Sequence, residues 1–87
     1  MDVGTESHSG FVRALRLSES DTLLEMPEPF AAGQNLSLEF LLDNNRIARV
    51  EGQVTRVSSH AKFYHVVVEF HKIPPQARRL IALQLAR

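Results

Sequence analysis

The stretch NLSLEFLLDNNRIARVEGQVTRVSS, residues 35–59, decides the fold class. Leu36, Leu38, Phe40 and Leu42 fall on one face, with Ser37 and Glu39 on the other. Successive side chains of a strand point to opposite sides, so this alternation predicts a strand with one buried and one wet face. Asp43, Asn44, Asn45 and Arg46 follow as a tight turn, whose asparagine pair tolerates left-handed backbone. The return segment alternates through Ala48, Val50, Gly52 and Val54, then slips phase, so that Val57 takes the apolar place due at position 56. One extra residue in a strand produces such a slip, and a bulge is expected near Thr55 and Arg56.

Working outward, FVRALRL (11–17) alternates imperfectly, SESD (18–21) supplies a polar corner, and TLLEM (22–26) makes a short strand. Pro27 and Pro29 close that strand, because neither fits inside a sheet. EPFAAGQ (28–34) connects it to the long hairpin, with Gly33 free to take a positive φ. After the turn HAK (60–62), FYHVVVEF (63–70) is the last strand, expected to bury Tyr64, Val66, Val68 and Phe70. The period then changes. PPQARRLIALQLAR (74–87) opens with proline, tolerated in a first helical turn, and sets Ala77, Leu80, Ile81, Leu83 and Leu85 at helical spacings. Arg78 and Arg79 fall outside that face, and Arg87 complements the negative end of the helix dipole.

The expected architecture is mainly β: a small antiparallel barrel of five or six strands with a C-terminal helix over residues 11–87. Residues 1–10, MDVGTESHSG, are polar and small and read as a flexible lead-in or a linker from a longer protein. Eighty-seven residues make one domain with a thin core, burying about 60–65% of the unfolded surface. Cysteine is absent, which removes disulfides, thiolate nucleophiles and cysteine-based zinc sites together. Ten basic residues balance ten acidic ones, without the cationic excess that drives phosphate binding. No apolar run approaches the roughly 18 residues that span a bilayer, and no signal-peptide pattern opens the chain, so a cytoplasmic setting without membrane insertion is expected.

Element order and punctuation together resemble the PilZ domain, a small bacterial β-barrel known for binding cyclic di-GMP. The resemblance runs from Gly10 to Arg87 and rests on Ser18 after a strand, LLEMPEPFAAGQNLSLEF with Gly33, VEGQVTRV with Gly52, YHVVVEF ending in Glu69-Phe70, and ARRLIALQL as the closing helix. It implies a signalling role tied to motility, type IV pili or surface behaviour. The family's ligand motif has two parts: an arginine-rich stretch ahead of the barrel, and Asp or Asn, any residue, Ser, two more, then Gly. Residues 1–10 contain no Arg or Lys, and of the second part only Ser18 matches, with Arg16 in the Asp/Asn place and Asp21 in the Gly place. A good bidentate arginine–guanine pair contributes about 1–3 kcal/mol. Two missing pairs therefore remove roughly 2–6 kcal/mol of the about 8 kcal/mol in a micromolar complex.

The candidate functional residues fall into three groups. Arg13 and Arg16, expected on one face, and Ser18 are the weak cyclic di-GMP candidates; their bland reading is a solvated strand whose arginines pair with Glu19, Asp21 or Glu25, and a turn serine. His8, His60, His65 and His71 lack metal-ligand spacing, and no nucleophile–base or carboxylate pair suggests an enzyme. Phe30, Arg78 and Arg79, with Phe63, are candidates for a partner surface. Because residues 1–10 offer no strand-like pattern, the barrel is expected to be split on one side, its free edge open to a second copy, a neighbouring domain or a partner strand. The leading expectation is a non-enzymatic adaptor working through protein contacts, without a cofactor. The alternatives are a cyclic di-GMP receptor whose arginines come from another segment or subunit, and a barrel for single-stranded nucleic acid, which neutral charge and the lack of Trp disfavour.

Overall fold

A computed structural model of the protein describes residues 2–5 and 8–86, with the backbone alone for His8, Ser9 and Asn44. The alternating segments become β1 (Asp2–Thr5), β2 (His8–Leu17), β3 (Asp21–Met26), β4 (Asn35–Leu41), β5 (Ile47–His60) and β6 (Phe63–Lys72), followed by the helix α1 (Pro75–Leu85). Every neighbouring pair is antiparallel, and the sheet closes in the order β1-β2-β3-β6-β5-β4. A barrel of this size leaves an interior that side chains alone can fill. Leu24, Met26, Leu36, Leu38, Phe40, Val54, Val66 and Val68 fill it, all but fully buried. Phe40 and Phe70 meet edge to face, with ring centroids 5.8 Å apart.

The bulge inferred from the phase slip is present: pairing of β5 with β6 shifts between Val54 and Arg56, and Thr55 and Arg56 both face solvent. A second bulge, between Ala14 and Arg16, explains the imperfect alternation of FVRALRL. It turns Arg13, Leu15 and Arg16 outward while Val12 and Ala14 stay buried. Gly33 and Asn45 take positive φ, 93° and 59°. Gly52 is required for a different reason. A Cβ there would stand 2.6 Å from Val68 Cγ1 and 2.8 Å from the Glu69 carbonyl oxygen, so glycine alone lets β5 press against β6.

Three expectations are corrected. The barrel starts at Asp2, not Phe11, and it is closed: β1 pairs with β2 on one side and β4 on the other, and Val3 is fully buried. The open edge expected for a second copy or a partner strand is therefore filled by the chain itself. A gap one strand wide asks mainly for backbone N–H and C=O groups, and DVGT supplies them with one fully buried side chain, Val3, and no strand-like patterning. Phe30 is half-buried against the core rather than displayed. In α1, which packs chiefly on β5, only Ala77 and Ile81 are buried; Leu83 and Leu85 are exposed, because the barrel end presents a narrow contact. Arg87 lies outside the described residues.

Candidate functional site

The polar corner joins β2 to β3 and is held by Ser18. Its Oγ accepts the backbone N–H groups of Ser20 at 3.2 Å and Asp21 at 3.0 Å, and its hydroxyl donates to Asp21 Oδ1 at 2.8 Å. The Ser18 N–H donates to the Asp21 carbonyl at 2.9 Å, and the Phe70 N–H donates to the Ser20 carbonyl at 2.9 Å, which ties the corner to β6. Beneath it, Thr22 is fully buried and donates through Oγ1 to the Arg16 carbonyl at 2.8 Å. Asp21 also stands 3.8 Å from Arg16 Nη2. Arg13 faces Glu25 across β3 and Asp2 across β1. The corner thus gathers Arg16, Ser18 and Asp21, and their polar groups answer one another.

A larger concavity went unnoticed in the sequence. A cleft of about 710 Å³ runs over β1, β2, β4 and β5, with Thr5, Phe11, Glu39, Arg49, Glu51 and Lys72 among its walls. Arg49 Nε donates to Glu39 Oε2 at 2.6 Å, and Lys72 Nζ lies 3.9 Å from Glu51 Oε2, so its cations are already matched by acids. The Thr5 hydroxyl oxygen there is buried without a hydrogen-bond partner. Cross-strand register, not sequence proximity, assembles this cleft, and no motif announces it. Of the other candidates, Arg78 and Arg79 lie exposed on α1, and Phe63 stands 43% exposed in the β5–β6 hairpin. His60 and His65 stack at 3.9 Å near that hairpin, with Ser58 Oγ 3.1 Å from His60 Nε2. Among the described residues no group of metal-ligating side chains converges.

A family model for the PilZ domain matches residues 4–87, from within β1 through the closing helix. The chain belongs to the PilZ domain family. Among solved structures, the Bacillus subtilis inhibitor of motility, MotI/DgrA, superposes with a TM-score of 0.84 at 17% sequence identity, over 99% of this chain and 45% of that one. The likeness at that identity is one of fold, and the PilZ domain described here spans less than half the length of that protein. Among curated proteins there is no significant sequence match. PilZ domains are regulatory modules, and this one keeps the family's barrel with its closing helix. Its corner is different in detail. Where the family motif carries glycine, Asp21 has ordinary backbone; positive φ outside glycine occurs, among the described residues, at Asn45 and Ala61. No described helix is long and apolar enough to cross a membrane.

Proposed function

We propose that this PilZ domain is a non-enzymatic signalling adaptor that works through protein contacts and does not by itself hold cyclic di-GMP. The observation that carries this reading is the Ser18–Asp21 pair. The serine hydroxyl is committed to the aspartate carboxylate at 2.8 Å and the corner's backbone N–H groups to the serine oxygen. A phosphate arriving there would meet a carboxylate, and it would have to displace bonds already made. Arg16, the nearest guanidinium, is drawn to that same carboxylate and stands in the Asp/Asn place of the motif. Arg13 contributes one further exposed cation on the outer face.

Bacterial intracellular signalling is the setting that family membership supports, and the fold shared with an inhibitor of motility favours control of motility or of surface appendages such as type IV pili. The partner is another protein or a neighbouring domain, in the cytoplasm; nucleic acid is disfavoured by the balanced charge. Calorimetric titration with cyclic di-GMP tests the reading. No saturable heat is expected at protein and ligand concentrations of tens of micromolar. A dissociation constant in the low micromolar range or tighter would replace the adaptor with a receptor.

A further inference from the structure

The barrel end that α1 covers carries exposed apolar surface and cations without an ion-pair partner among the described residues. Leu83, Leu85 and Ile47 are 61%, 43% and 49% exposed, although each is a large aliphatic side chain. Between α1 and the 3-10 turn Asp43–Asn45 lies a groove of about 350 Å³, walled by Leu42, Leu80 and Leu83, with Arg46 and Arg79 on it. Neither guanidinium has a carboxylate within ion-pair distance among the described residues, unlike Arg16, Arg49 and Lys72. Asp43 shares the groove but is already partnered. Nothing acidic follows Glu69 in the sequence, so α1 brings only positive charge to its outer side. The walls are fixed to each other: Gln84 Oε1 accepts the Asp43 N–H at 3.2 Å and holds the end of α1 against the turn.

We propose that this groove docks an acidic, amphipathic segment of a partner protein. Its apolar side chains sit on Leu42, Leu80 and Leu83, and its carboxylates meet Arg46 and Arg79. The proposal rests on the adaptor reading and deepens it by naming a place and a partner chemistry. Size argues for a segment rather than a folded surface, because the groove accommodates a few side chains. Charge argues for acid, because two guanidiniums without an ion pair among the described residues, beside an apolar strip, favour carboxylates presented on an apolar face. Nucleic acid lacks an apolar face to cover Leu83 and Leu85, and phosphate-driven binding draws on more cations than these. The exposed apolar residues Phe11, Leu15 and Phe63 lie on strands elsewhere and line neither side of this groove.

The test is selection of a displayed library of random helical peptides on the whole chain, with the best peptide then titrated into isotope-labelled protein. Enriched sequences should combine Asp or Glu with Leu, Ile or Phe at helical spacing. The amides of Leu42, Arg46, Leu80 and Leu83 should shift. The double variant Arg46→Glu/Arg79→Glu should weaken binding at least tenfold while melting like the parent, and Leu83→Ser should weaken it independently of charge. Enrichment without acidic bias, no enrichment, or equal binding to the double variant overturns the proposal. So does a shift of these same amides on vesicles of anionic phosphatidylglycerol, which would make the face a membrane contact. Peptides that bind elsewhere on the barrel sink the groove but leave the adaptor reading standing, whereas tight cyclic di-GMP binding sinks the adaptor reading whatever the peptides do.

Discussion

At the Ser18 corner, one hydroxyl accepts two backbone N–H groups and donates to a carboxylate, and that carboxylate draws in the nearest guanidinium. In the groove beside α1, two guanidiniums have no carboxylate within ion-pair distance among the described residues, and a leucine beside them is 61% exposed. Both regions combine a polar turn with arginines, yet only the first is satisfied from within. A site that satisfies itself contributes to stability and has little left for a ligand. A site that does not costs little to alter and can be completed by something else.

Substitutions should separate the two regions by what they change. The largest loss is expected from Gly52→Ala, which drives a methyl group into Val68 and the Glu69 carbonyl and should cost about 1–3 kcal/mol or more, lowering the melting temperature and loosening both regions with β5. Next is Ser18→Ala. It strips two N–H groups of their acceptor and Asp21 of its donor, and should cost about 1 kcal/mol, or about 4–8 °C in a thermal melt of a domain this size. A melt unchanged by Ser18→Ala would mean that the corner is not self-satisfied, and the contrast would fail. Ala61→Gly should go the other way. Ala61 holds φ at 52° in the β5–β6 turn, and glycine there should stabilise by roughly 0.5–1 kcal/mol, read as a higher denaturant midpoint. Smallest is Leu83→Ser, expected to move the melt by less than about 0.5 kcal/mol, since the side chain packs on little. A larger loss there would make Leu83 part of the core.

The legible parts of this molecule are those where side chains repeat. Leu36, Leu38 and Phe40 announce β4, and the slip from Val54 to Val57 announces its partner's bulge, because burial on one face leaves a period in the sequence. β1 escaped for the converse reason. Its work is done by backbone hydrogen bonds to β2 and β4, and one buried valine is too little pattern to notice. The helix was legible as a helix, but not its seating: Leu83 and Leu85 look like core in sequence, and only the geometry of the barrel end limits burial to Ala77 and Ile81. At the corner, the departures of Arg16 and Asp21 from the family motif were visible, while the bond from Ser18 to Asp21 was not. The groove was half-visible, as Arg79 without Arg46, because the two come from segments far apart in the chain.

The claim that bears the most weight is that the corner's own groups exclude the cyclic dinucleotide. An amide-resolved NMR titration of the protein with cyclic di-GMP addresses it directly. The amides of Ser18, Ser20 and Asp21 should stay in place at a several-fold excess of ligand. Saturable movement of those three, with Arg16 following, would contradict it.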